Sequence, residues 1–104
     1  MSNINKIVCL VTGASSGIGK QTAIKISDIA DHVYILSRDV SKLEIVNDHI
    51  INNGSDCTIV PMDLTKKNNI KELAKNIYEK ENKIDIVISS AGRINQLSPI
   101  SSQN

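Results

Sequence analysis

The stretch Thr12-Gly13-Ala14-Ser15-Ser16-Gly17-Ile18-Gly19 lies between a continuous apolar run, Ile7 to Val11, and a segment whose apolar residues recur at helical spacing. Glycines at a strand-to-helix junction suit the binding of an anion. One permits a tight turn, another lets the backbone approach a diphosphate, and a third lets helix and strand pack closely. The unsatisfied N–H groups at the helix start, with the positive end of its dipole, then hold the negative charge. Gly13, Ser15, Ser16, Gly17, Ile18 and Gly19 are therefore the first candidate site, the two serines adding hydroxyl groups. A glycine-rich turn that only reverses the chain is the plainer alternative. The strand-helix-strand context on both sides argues instead for a dinucleotide fingerprint. A P-loop is rejected, because Gly19-Lys20 is followed by Gln21 where a Mg²⁺-binding hydroxyl is needed, and Ala14 stands where the loop needs its first glycine.

A second candidate site follows the next apolar run, His32 to Leu36. An acidic residue about 20 positions past the glycines would bind the ribose hydroxyls of NAD. The sequence has Ser37-Arg38 there. Serine removes the carboxylate that would repel a 2′-phosphate, and the planar guanidinium fork of Arg38 matches one. This predicts NADP as the cofactor, with NAD the lesser choice. Two alternatives stay open. Arg38 is an ordinary solvated charge, or Asp39 is the acidic reader displaced by a residue or two. The preferred reading of Asp39 is a residue at a helix N-terminus, stabilised by the dipole.

The elements that must position these residues alternate. Ile7–Val11, His32–Leu36, Cys57–Val60 and Ile84–Ile88 read as buried strands. Between them, Gly17 to about Ala30 reads as a helix with Ile18, Thr22, Ala23, Ile26 and Ile29 near one face. Ser41 and Glu44 form an S-x-x-E capping box opening a helix with Leu43, Val46 and Ile50 inward and Gly54 at its end. Ile70, Leu73, Ala74, Ile77 and Tyr78 form an amphipathic stripe on a third helix. Such alternation implies right-handed crossovers and a parallel sheet. The 104 residues fit one domain. The expectation is one partial nucleotide-binding domain over 1–104, ordered over about 5–92, with 93–104 a loose tail.

Composition excludes several classes. The net charge is +1 with no basic stripe, which argues against nucleic acid. No run reaches membrane-spanning length, and the start lacks a signal-peptide core, so a cytoplasmic location is expected. Cys9 and Cys57 read as small buried hydrophobes in a reducing compartment, and two Cys with two His supply no zinc pattern. His32 and His49 read as surface residues, and the Lys66-Lys67 and Lys80/Lys83 groupings as solvated helix ends.

The spacing T-G-x-x-x-G-x-G resembles the fingerprint of the short-chain dehydrogenase/reductase family. Asp63-Leu64 after the third strand resembles the family's Asp-hydrophobic pair, whose carboxylate meets the adenine. Ile84-Asp85-Ile86-Val87-Ile88-Ser89-Ser90-Ala91-Gly92 resembles its fourth strand and Asn-Asn-Ala-Gly turn, with Ser89 and Ser90 replacing the asparagines. The resemblance implies a Rossmann-type three-layer α/β/α fold with a parallel sheet of about four strands in the order 3-2-1-4, incomplete relative to the full family fold. It adds Asp63, Leu64, Ser90, Ala91 and Gly92 to the cofactor-binding candidates. It also implies hydride transfer between NADP(H) and a carbonyl or hydroxyl substrate.

The family's catalytic Ser and Tyr-x-x-x-Lys are not found. Four residues after Tyr34 stands Arg38, and four after Tyr78 stands Asn82; Ser101 and Ser102 come too soon after the fourth strand. No catalytic residue is assigned. The expectation is a cofactor-binding half of an oxidoreductase, truncated or split, able to take substrate only if the missing half is supplied. A non-catalytic nucleotide-binding module, an inactive gene product and a purely structural protein are the alternatives. An Ile/Val-rich sheet edge left open would favour self-association.

Overall fold

A computed structural model describes residues 6–15, 17–63 and 66–89, with only the backbone of Lys67. The elements are β1 (Val8–Thr12), α1 (Gly17–Ile26), β2 (His32–Ser37), α2 (Val40–Asn52), β3 (Asp56–Pro61), α3 (Lys67–Glu81) and β4 (Ile86–Ser89). The strands form one parallel sheet in the order β3-β2-β1-β4. This is the expected order. The expected tail, 93–104, lies outside the described residues.

Alternation along the central strands builds two cores. Cys9, Val11, Val33 and Ile35 meet Ala23 together with Leu43, Val46 and Ile50 of α2 on one face. Val8, Leu10, Tyr34 and Leu36 meet Ile77 and Leu73 of α3 on the other. All five residues of β1 are buried, as a central strand covered on both sides requires. Three layers result.

Several expectations about faces and caps are corrected. Ile18 and Ile29 are 74% and 60% exposed, and the buried residues of α1 are the small Gly19 and Ala23. The helix stops at Ile26 because the next turn tightens. Asp28 and Ile29 N–H groups bond carbonyls three residues back, and the Ser27 hydroxyl donates to the Ile24 carbonyl. Tyr78 stands out at 60% exposure rather than joining the stripe led by Ile77. Asp39, not Ser41, caps α2. Its carboxylate accepts from the Lys42 N–H at 3.1 Å, and the Ser41 hydroxyl merely donates to it at 3.0 Å.

The N-terminal end of the sheet carries a polar network that no local pattern announced. Glu81 is buried, and its carboxylate accepts from Tyr34 Oη at 2.7 Å and from Lys6 Nζ at 3.1 Å, with His32 Nδ1 3.4 Å away. His32 is buried too, not a surface residue. It stacks on Tyr34 with ring centroids 4.4 Å apart, and its Nε2 lies 2.7 Å from Thr58 Oγ1. Lys83 is likewise no solvated helix end, since it bonds the Lys6 carbonyl and pairs with Asp85. Asp31 and Asp85 accept the Ile7 and Val8 N–H groups at 2.7 and 2.8 Å. The strands flanking β1 thus fix where it starts.

Candidate dinucleotide-binding site

The candidate residues gather at the opposite, C-terminal edge of the sheet. Thr12, the last residue of β1, is in register with Leu36 of β2 and Ser89 of β4, and Ser37 is in register with Pro61 of β3. In open α/β sheets, ligands bind outside this edge. Thr12 Oγ1 donates to the Ile88 carbonyl at 3.5 Å, drawing the ends of β1 and β4 together.

The chain then turns sharply into α1. Gly13 has φ 63° and Gly17 φ 60°, conformations that a side chain would strain. Its chain neighbours and the backbone of its own helix apart, no described residue has a heavy atom within 4 Å of where a Cβ on Gly17 would sit. The protein itself uses one amide of the bend, since the Ala14 N–H donates to the Leu36 carbonyl at 3.1 Å. Ala14 is fully buried, and the sequence reading gave it no role. The Gly17, Ile18 and Gly19 N–H groups belong to the first turn of α1, where no carbonyl stands one turn earlier in a helix to accept them. Among the described residues nothing else accepts from them. Ser16 lies outside the described residues.

The end of β2 borders this bend. Ser37 Oγ donates to Ser15 Oγ at 2.8 Å and accepts from the Asp39 N–H at 3.2 Å. Arg38 is exposed and joins no ion pair among the described residues. The Asp39 carboxylate is held below the usual carboxylate range by the Lys42 N–H and the Ser41 hydroxyl. It is thereby turned to its own helix, as the preferred sequence reading had it.

Asp63 follows β3 and is half-buried. Its carbonyl accepts from the Lys66 N–H at 3.4 Å and from Asn69 Nδ2 at 3.3 Å, tying the β3 end to the start of α3. Leu64, Ser90, Ala91 and Gly92, the remaining candidates, lie outside the described residues. The structure therefore brings Gly13, Ser15, Gly17, Ile18, Gly19, Ser37 and Arg38 to one strand-to-helix corner, with Asp63 just past the neighbouring strand. The chemistry of this donor set fits a dinucleotide. Amides at a helix N-terminus suit a diphosphate, and an exposed guanidinium suits a further phosphate.

Comparison with known proteins decides the family. The model of the short chain dehydrogenase family matches residues 7–104. The chain belongs to the short-chain dehydrogenase family. Curated relatives include the fatty acyl-CoA reductase of Acinetobacter baylyi, 38% identical over 91 residues that make up 88% of this chain and 31% of that protein. Another is the dehydrogenase/reductase SDR family member 7 of Mus musculus, 32% identical over 94 residues, 86% of this chain and 28% of that protein. This short-chain dehydrogenase sequence thus spans about a third of the length of the curated relatives it matches.

Among solved structures, a metagenomic short-chain oxidoreductase in complex with NADP superposes with a TM-score of 0.75 at 30% identity, covering 84% of this chain and 39% of that one. A β-ketoacyl-[ACP] reductase from Bacteroides thetaiotaomicron gives 0.76 at 28% identity, covering 84% and 41%. The four-stranded parallel sheet with its helices matches that Rossmann-type architecture over the shared part. Among the described residues, no helix is long and apolar enough to cross a membrane, and no group of His, Cys, Asp and Glu is arranged to hold a metal ion.

Proposed function

We propose that this chain holds NADP(H) as the cofactor-binding part of a short-chain dehydrogenase that moves hydride between NADP(H) and a carbonyl or hydroxyl substrate. The bound cofactor supplies or accepts the hydride. The chain's own residues bind and orient it. The Gly17–Gly19 amides and the helix dipole receive the diphosphate, Arg38 the 2′-phosphate, and Asp63 with Leu64 the adenine. By the family resemblance, Ser90, Ala91 and Gly92 join the cofactor-binding set. Proton transfer to the substrate needs the family's Ser and Tyr-x-x-x-Lys, which occur at no suitable position in these residues. Substrate turnover therefore requires that those groups be supplied alongside this part. The two free thiols accord with a reducing, cytoplasmic setting.

The observation that carries the choice of NADP is Arg38, exposed and outside every ion pair among the described residues, beside an Asp39 carboxylate engaged with its own helix. The NADP complex of a relative 30% identical supports the same reading. Titrating NADP and NAD into the wild-type chain and Arg38→Ala tests it. The wild type is expected to prefer NADP by about ten- to a hundredfold, the worth of one charged hydrogen bond of about 1.5–3 kcal/mol. Arg38→Ala is expected to bring the two affinities together. Equal affinities in the wild type would overturn the NADP assignment.

The second reading is a non-catalytic module that binds the nucleotide and transfers nothing. An adjacent coding segment carrying the Ser and the Tyr-x-x-x-Lys would decide for the enzyme. Its absence would decide for the module.

A further inference from the structure

We propose that Ser37 is a positioning residue that braces the diphosphate-binding bend and leaves recognition of the 2′-phosphate to Arg38 alone. The inference rests on the dinucleotide reading above and adds a division of labour between two adjacent residues.

The argument starts from what a hydroxyl can do. It has one proton to donate and two lone pairs to accept with. Ser37 gives its proton to Ser15 Oγ at 2.8 Å and uses a lone pair for the Asp39 N–H at 3.2 Å. A phosphate oxygen accepts hydrogen bonds and needs a donor. In this geometry the one Ser37 proton is turned to Ser15, so contact with the phosphate would require the pair to be redirected. Arg38 carries five N–H donors and joins no ion pair among the described residues.

The bond to Ser15 has a structural purpose. Two successive residues of the bend are fastened to two successive residues of β2. The Ala14 N–H reaches the Leu36 carbonyl at 3.1 Å, and Ser15 Oγ receives the Ser37 proton. Through Asp39, whose carboxylate caps α2 at the Lys42 N–H, the same hydroxyl is joined to the start of the next helix. One side chain thus fixes the bend, the end of β2 and the start of α2 relative to one another. It thereby steadies the bend whose amides face the diphosphate. The diphosphate is common to NAD and NADP, so loss of the brace must weaken both alike.

The test is a titration of NADP and NAD into the 104-residue chain and four variants. Ser37→Ala is expected to weaken both cofactors by about fivefold, the effect of one neutral hydrogen bond, with the NADP-to-NAD ratio unchanged. Ser37→Thr keeps the hydroxyl and is expected to restore wild-type affinity. Ser15→Ala removes the same bond from its other end, so Ser15→Ala/Ser37→Ala is expected to bind no worse than either single variant. A readout free of cofactor accompanies these. Amide exchange at Ala14 and Asp39 is expected to quicken in Ser37→Ala and in Ser15→Ala at Ala14, and to stay slow in Ser37→Thr. If Ser37→Ala collapses the NADP-to-NAD ratio as Arg38→Ala does, Ser37 reads the phosphate directly and this inference fails while the dinucleotide reading stands. Additive losses in the double variant would also overturn it. Failure of the wild type to bind either cofactor would remove both readings together.

Discussion

Glu81 gathers Lys6, Tyr34 and His32 around one buried carboxylate, and those contacts set how the domain responds to pH. Burial would raise the Glu81 pKa, but the bonds from Tyr34 and Lys6 outweigh it and hold the group below its ordinary range. Burial pushes His32 down despite the nearby Glu81 and Asp56 carboxylates. It also raises Tyr34 well above its ordinary range, and lifts Cys9 to about 11 and Cys57 to about 12. The signs follow from linkage. Depressed His32 and Glu81 contribute stability that is present above their unfolded values, about 6.5 and 4.5, and lost as pH falls through their lower folded values. The raised tyrosine and thiols contribute stability that is lost as pH rises above 9 to 10. Denaturation midpoints measured across pH are expected to plateau between about 6.5 and 9 and to fall on both sides. A His32→Gln variant is expected to lose most of the first step on the acid side. A midpoint that rises on acidification from neutrality would contradict this account. At this scale the sequence disclosed the glycine bend between β1 and α1 and missed the network, for one physical reason. The bend is written in eight consecutive residues, whereas Glu81 meets Tyr34 and Lys6 across 47 and 75 positions. A glutamate in the last turn of an amphipathic helix carries no local mark of burial.

Among the elements, the start of α2 shows how a correct helix can carry a misplaced cap. Asp39 and Ser41 are both good N-cap types two residues apart, and the S-x-x-E pattern favours the serine. Asp39 wins because its backbone is extended, with φ −96° and ψ 93°, and its carboxylate reaches the Lys42 N–H. Ser41 already lies within the helix. Asp39→Ala is therefore expected to lower stability clearly, whereas Ser41→Ala is expected to change it little, as at other exposed sites. Urea unfolding of the two variants distinguishes them, and a larger loss at Ser41 would restore the capping box. The strands were legible because runs of Val and Ile buried on both faces have few other solutions. The face of α1 was not. Helical spacing grouped Ile18 and Ile29 with the core, yet close packing on β1 selected Gly19 and Ala23, and the helix ended before Ile29. Small residues that let elements approach closely leave little trace in a hydrophobic pattern.

For the whole molecule, alternation of strands and helices predicts a parallel sheet, whereas the order β3-β2-β1-β4 came from family resemblance rather than periodicity. That order decides which strands have an unpaired side among the described residues. They are β3 and β4, and the two differ. β3 begins at Asp56, carries Thr58 and ends at Pro61, the polar and proline residues that discourage strand addition. β4 reads Ile86-Val87-Ile88-Ser89, with no charge or proline within it, and pairs along one side with β1 from Cys9↔Ile86 to Thr12↔Ser89. Its side chains are half-buried where those of β1 are fully buried, so among the described residues apolar surface remains beside backbone groups of Ile86, Val87 and Ile88 that no described strand pairs. Pairing of one copy's β4 with another's would satisfy those groups and cover that surface together. The 104-residue chain on its own is therefore expected to self-associate through β4 rather than β3. Sedimentation velocity across a wide concentration range checks the first half of this, with a mass that rises with concentration. Amide exchange checks the second, because association is expected to slow exchange in Ile86–Ser89 and leave Asp56–Pro61 unchanged. A monomer at every concentration would show that the β4 edge is already guarded. Protection confined to β3 would show that charge and proline fail as guards here.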